Sequence, residues 1–186
     1  MALHQEKIYT QEIMHTIEDI YALPDGQRAE LIDGRIYGMA PPNTKHQRLV
    51  ARLSHRILSH IEAEGGDCEV FPAPFAVFPD GDDRNYVEPD ISVICRRDIL
   101  NDKGCGGAPD WIIEIVSPSS ERMDYGVKLF KYHSAGVREY WVVNPRTCTV
   151  NVFDFEYGLA SAQYSFGDEI PVCVYKDLKI RISELL

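Results

Sequence analysis

The longest periodic stretch of the chain is "NTKHQRLVARLSHRILSHIEAEGG", in which Leu49, Val50, Leu53, Ile57 and Ile61 recur at helical spacing. Asn43 or Thr44 supplies a cap and Gly65 a stop, so a long helix is predicted there. Elsewhere the period changes. In "RAELIDGRIYGMAPP" two short runs of alternating character flank Asp33-Gly34, the pattern of a tight β-hairpin, and Pro41 and Pro42 end it. "CEVFPAPFAVFPDG", "EPDISVIC" and "PDWIIEIV" are short, rich in β-branched and aromatic residues, and bounded by Pro, Gly and Asp, so each is predicted as a strand.

The opening "TQEIMHTIEDIYALPDG" reads as a short helix with Thr10 or Thr16 as cap and Pro-Asp-Gly as stop. After the serines at 117, 119 and 120 a second helix is expected to run to about Ala135-Gly136. "REYWVVNP", "TVNVFDFEYG" and "AQYSF" follow as strands, and "ISELL" as a closing turn. Strand, helix and strand between 110 and 144 make a βαβ-sized unit, which predicts an α/β chain, an α+β mixed sheet with helices on its faces. No repeat or Ser/Pro/Gly-rich linker divides the 186 residues, and a single domain over 1–186 is expected.

One position breaks the apolar run of "WIIEIV". Glu114 is a carboxylate among Trp, Ile and Val, and an unpaired charge there costs several kcal/mol. If "EPDISVI" is the neighbouring strand, Asp90 and Glu114 project from one sheet at similar height. Such a pair suits Mg²⁺ or Mn²⁺, which bind through one or two carboxylates plus water and phosphate. Asp124, Lys128 and Tyr132 fall on one side of the following helix, so the Lys128 ammonium can approach the same acids. Two acids and a lysine are the minimal set for metal-assisted phosphodiester hydrolysis. Glu30, in apolar company in the hairpin, and His46, at the head of the long helix, are further candidates.

Each residue also has a plainer reading. Asp90 after Pro89 can open a strand or a turn. Glu114 can form a structural ion pair with Arg138 or Lys128. Lys128 with Asp124 is an ordinary i, i+4 pair on a solvated face. His46 can be a polar helix-start residue, and Glu30 can face solvent from a hairpin edge. "DKGCGGAP" reads as a flexible surface loop.

The series "AELIDGRIYGMAPP", a His at the head of a long helix, "EPDISVI", "PDWIIEIVSPSS" and "DYGVKLFKYHSAGVREYWVVNP" resembles the restriction-endonuclease family catalogued as domain of unknown function 820, in the PD-(D/E)-x-K nuclease superfamily. The likeness covers residues 8 to 186. It implies a restriction-endonuclease-like α/β/α sandwich, with Asp90 as the acid of the Pro-Asp motif and Glu114 as that of the second motif. Val116 stands where the superfamily's simplest pattern has lysine; the resemblance implies that Lys128 on the next helix replaces it, with Lys131 the weaker stand-in. Glu30 resembles the additional acid near the N-terminus, and His46 joins the same set.

The function expected is a metal-dependent DNA endonuclease, with Asp90 and Glu114 holding Mg²⁺ or Mn²⁺. The rival is a catalytically inactive nuclease-fold module for nucleic-acid binding or protein interaction; a phosphoesterase acting on a small nucleotide shares the metal chemistry. Cutting both strands of a duplex calls for two sites, which by analogy points to a homodimer.

Charge and cysteines adjust this reading. A net charge of −10 argues against broad attraction to nucleic acid or anionic membrane. Lys45, Arg48, Arg52 and Arg56 nevertheless form a ridge opposite the apolar stripe, able to neutralise a few phosphates or simply to face solvent. No run is apolar enough to span a bilayer, and "MALHQEKIYT" has no signal-peptide character, so a cytoplasmic protein is expected. The five cysteines are odd in number and lack a Cys-x-x-Cys pair, which favours free thiols over a disulfide framework or a zinc site.

Overall fold

Residues 13–186 are described by the structure, a computed structural model; the candidate cap Thr10 lies outside them. Helix α1 (Ile17–Tyr21) starts at Thr16, whose backbone N–H donates to the Asp19 carboxylate. Strands β1 (Ala29–Ile32) and β2 (Arg35–Gly38) form the expected hairpin. Its two central residues, Asp33 (φ 50°) and Gly34 (φ 73°), both take positive φ, as a two-residue type I′ connection requires. Helix α2 (Thr44–Ala63) is capped by Asn43, whose side chain accepts from the His46 N–H at 3.0 Å.

The strand predicted from "CEVFPAPFAVFPDG" is shorter than the pattern suggests. Only β3 (Glu69–Pro72) is regular, because Pro72 and Pro74 interrupt the ladder. The rest of the segment, around a cis Ala73–Pro74 bond, contributes an isolated bridge between Val77 and Val87. Strand β4 (Ile91–Ile94) follows, then the small hairpin β5 (Leu100–Asn101) and β6 (Gly104–Cys105). "DKGCGGAP" is therefore not a free surface loop: the Cys105 N–H donates to the Ala76 carbonyl, and Cys105 is fully buried. Gly104 is required there, since a Cβ on it would lie 2.2 Å from the Ala76 oxygen.

Strand β7 (Trp111–Ile115) leads into the serine turn and then a wide π-turn, Met123–Val127, which continues as α3 (Lys128–Ala135). Gly136 closes that helix in the left-handed region. Strands β8 (Glu139–Asn144), β9 (Thr149–Asp154) and β10 (Ala160–Ser165) complete a six-stranded sheet of order β10-β9-β8-β7-β4-β3. β7 and β8 run parallel, and the other neighbours antiparallel. The short pair β11 (Ile170–Pro171) and β12 (Lys179–Ile180) and a closing 3-10 turn over Ile182–Leu185 end the chain.

The sheet is covered on both sides, as the α/β/α expectation requires. One face packs Ile91, Val93, Trp111, Ile113, Ile115 and Trp141 against the apolar stripe of α2. The opposite face packs Ile94, Ile112, Val116, Tyr140 and Val142 against Tyr132 and the underside of the β1–β2 hairpin. The two faces follow from strand alternation alone, because successive side chains of β7 point to opposite sides.

The cysteines overturn the free-thiol expectation. Cys68 and Cys95 are joined in a disulfide. The pairing Glu69↔Ile94 between β3 and β4, extended by one step, sets Cys68 directly opposite Cys95. Sequence spacing carried no sign of it, because the register between those strands was not legible. Cys105, Cys148 and Cys173 are unpaired. With a disulfide present, cysteine usage no longer argues for a reducing compartment. Among the described residues, no helix is long and apolar enough to cross a membrane.

Candidate active site

Antiparallel pairing places the two motif acids together. Ile91 pairs with Ile113, so the next step outward sets Asp90 across from Glu114. The Ile115 N–H donates to Asp90 Oδ2 at 2.7 Å, which fixes that carboxylate at the end of β4. Glu114 Oε2 lies 3.5 Å from the Asp90 backbone N–H. Glu114 points to the same face as Ile112 and Val116, beneath α3, and is only 4% exposed.

From above this face comes Lys128. Its ammonium lies 2.9 Å from Glu114 Oε1 and 2.8 Å from Glu30 Oε2, and donates to Glu30 Oε1 at 2.9 Å. The Tyr132 hydroxyl, one helical turn further on, donates to Glu114 Oε1 at 2.8 Å. Glu30 enters from β1, and its Oε1 also accepts from the Glu88 N–H at 3.0 Å. The plainer readings of a solvated Lys128 and an exposed Glu30 therefore do not hold, since both residues are about 5% exposed. Arg138 pairs instead with Asp110 and Glu156, and Lys131 with Asp33 and Asp80.

His46 arrives from the first turn of α2. Its Nε2 lies 3.0 Å from Asp90 Oδ2, while its Nδ1 is buried without a hydrogen-bond partner. All five candidates from the sequence, Glu30, His46, Asp90, Glu114 and Lys128, thus line one cleft of about 480 Å³. Its other wall is largely apolar, formed by Tyr37, Met39, Pro41, Pro42 and Pro74, with Arg28 at the rim paired to Glu88.

Sequence reasoning noted Asp124 and Tyr132 only as neighbours of Lys128 on one helix side; both belong to the network. Asp124 sits on the π-turn, 1% exposed, and lines the same cleft. Its N–H donates to the Ser120 carbonyl at 2.9 Å, and its own carbonyl accepts from the Tyr140 hydroxyl at 3.0 Å. The i, i+4 spacing to Lys128 was the available signal, but it cannot distinguish a buried pair from an exposed one. Glu88 and Arg28 carried no signal beyond the Glu-Pro-Asp run.

The electrostatics follow from crowding acids under a closed roof. Burial pushes the Glu114 carboxyl well above the usual carboxylate range; Lys128 opposes this, and the acids Asp90, Asp124 and Glu30 add to it. Burial alone would lower Lys128, but Glu114, Glu30 and Asp124 outweigh that, so it stays an ammonium. Burial raises Asp124 to about 6, against the pull of Lys128 and a hydrogen bond from Ser120. A carboxylate raised in this way gains from any added positive charge, whether proton or cation.

Comparison with known proteins assigns the chain a family. The sequence profile of Uma2, described as "Putative restriction endonuclease", matches residues 17–181. An uncharacterized protein of Synechocystis sp., slr1290, is 28% identical over 128 residues, which span 68% of this chain and 66% of the relative. The crystal structure of a putative nuclease belonging to DUF820, from Anabaena variabilis ATCC 29413, superposes with a TM-score of 0.74 at 22% identity. The match covers 91% of this chain and 96% of that one, and it shows that the two share a fold.

Proposed function

This chain belongs to the Uma2 family, and on that premise we propose that it is a metal-dependent DNA endonuclease whose site is built on Asp90, Glu114 and Lys128. One observation carries the reading: the register that sets Asp90 opposite Glu114, with Lys128 seated on Glu114 from a different element than the superfamily's simplest pattern uses.

The donor set fits a hard divalent cation. Both side-chain bonds of Asp90 fall on Oδ2, and Glu114 Oε1 takes Lys128 and Tyr132, which leaves Asp90 Oδ1 and Glu114 Oε2, the latter 3.5 Å from the Asp90 N–H, with lone pairs to offer. Among the described residues no three His, Cys, Asp or Glu side chains converge at metal-ligand spacing, which suits an ion that keeps most of its waters. Mg²⁺ or Mn²⁺ held by Asp90 and Glu114 supplies Lewis-acid polarisation of a phosphate.

The chain's own groups do the remaining work. Lys128 presents a permanent positive charge at the base of the cleft, where it stabilises developing negative charge and orients water. Glu30 holds Lys128 in place, Tyr132 holds Glu114, and His46 holds Asp90, so these three act by positioning. A DNA strand laid in the cleft meets an apolar wall on one side and the acids on the other; a homodimer would offer one site to each strand of a duplex.

Nicking of supercoiled plasmid with Mg²⁺, Mn²⁺ or EDTA tests the proposal, beside Asp90→Asn and Lys128→Met variants shown to fold by circular dichroism. Cleavage should appear only with a divalent ion and fall by about 100-fold or more in each variant. Folded protein that binds Mn²⁺ and cleaves neither DNA nor RNA would overturn it in favour of an inactive binding module.

A further inference from the structure

We propose that Asp124 is a third carboxylate of the cation site, holding the bound divalent ion through one of that ion's water molecules. The inference rests on the metal reading above and extends it to a residue that spacing gave no role.

Asp124 stands on a π-turn, a widened turn that is uncommon in helices and recurs at functional sites. Its backbone is fixed at both polar atoms, by Ser120 on one side and Tyr140 on the other, so its side-chain position is set by the fold. The residue lines the cleft together with Glu30, Asp90, Glu114 and Lys128. Yet its Oδ1 is buried with no hydrogen-bond partner. An orphaned carboxylate oxygen in such a place is costly, and a native structure supplies it with a partner.

The Ser120 hydroxyl reaches the carboxyl yet leaves Oδ1 unpaired. Lys128 is occupied by Glu30 and Glu114, and Asp124 meets the same ammonium only through charge. A neutral water alone would satisfy the lone pair without relieving the charge. A divalent ion between Asp90 and Glu114, with a water turned toward Asp124, does both. Direct ligation by Asp124 is not what the geometry shows, since no three acids converge at ligand distance. A carboxylate one water away from an ion is an outer-shell ligand, a position whose loss weakens metal binding without abolishing it.

Titration with Mn²⁺, followed by the electron paramagnetic resonance signal of the free ion, tests the inference in wild type, Asp124→Asn and Asp90→Asn. Wild type should bind, Asp124→Asn should bind about 10-fold more weakly, and Asp90→Asn should show the larger loss. The rise in melting temperature on adding Mn²⁺ at neutral pH, each protein compared with its own metal-free value, should shrink in Asp124→Asn, a split that a merely structural role would not produce. If Asp124→Asn fails to fold, Asp124→Ser, which leaves room for a water, is read by the same titration. Binding by the variant within about twofold of wild type overturns the inference and leaves the nuclease reading standing. Wild type that binds no Mn²⁺ overturns both. Mn²⁺ binding that weakens as expected without plasmid cleavage supports the role of Asp124 while the nuclease reading fails.

Discussion

Strand β7 has two faces, and they solve burial in opposite ways. Trp111, Ile113 and Ile115 meet α2 through apolar contact, with the Trp111 and Trp141 rings packed edge to face at 5.0 Å. Ile112 and Val116, on the other face, flank Glu114, which is buried as deeply but is held by Lys128, Tyr132 and the register to Asp90. The first face gains from every atom removed from water. The second spends folding energy on charges that are tolerable only as a connected set. At β7, purely apolar burial lies on one face and the buried charges on the other, and substitutions should separate the two.

The largest loss of stability is expected on the dry face. Trp111→Ala should cost about 4 kcal/mol in urea unfolding, through lost transfer energy and a cavity under α2. Lys128→Ala should follow at about 3 kcal/mol at neutral pH, because it leaves Glu114 and Glu30 buried without their cation. The two losses differ in kind. The first should be nearly constant with pH, whereas the second should shrink in acid, where Glu114, raised by burial, takes up a proton instead. A Lys128→Ala loss independent of pH would show that the ammonium is not what stabilises the acids.

The same contrast explains what the sequence could reveal. The α2 stripe and the Asp33-Gly34 hairpin were legible because each is a local pattern repeated within its own element. Glu114 stood out because one acid in an apolar strand breaks the period, and Asp124, Lys128 and Tyr132 shared a side because helix geometry is fixed. Contacts between elements left less trace. Glu30 and Lys128 are 98 residues apart, and nothing near either names the other. Glu30 stood out as an acid in apolar company and His46 by its place at the head of the long helix, and the resemblance drew both toward the site; the fold shows that one reaches Lys128 and the other Asp90. The Cys68–Cys95 bond was missed for the same reason, since it depends on strand register. The π-turn has no compositional signature, so the expected plain helix after the serines hid the depth at which Asp124 sits.

A milder change sharpens the comparison. Glu114→Gln keeps the shape and an oxygen for Tyr132 while removing one of the competing buried charges, and Lys128 retains Glu30. Its unfolding free energy should stay within about 1 kcal/mol of wild type, in contrast to Trp111→Ala. Divalent-dependent cleavage should nonetheless be lost. A variant as unstable as Trp111→Ala would mean that the polar face carries the fold after all.

The smallest effect is a change of slope with pH. Asp124 is raised to about 6, first by burial, and faces Lys128, Ser120, Asp90 and Glu30. The folded state thus binds a proton there more tightly than the unfolded chain, whose carboxyl titrates near 3.8. This contribution is fully present below about 3.8 and is lost as pH rises through about 6, so on its own it makes metal-free stability decline across that window. Asp124→Asn carries no such proton, and its melting temperature should decline less than that of wild type between those two values. Glu114 contributes a decline of the same sign, and because Asp124 is one of the acids that raise it, the difference between the two curves reports the Asp124 carboxyl together with its effect on Glu114. Parallel curves would show that its carboxyl is not raised by the crowded face and that the burial of charge falls on Glu114 alone.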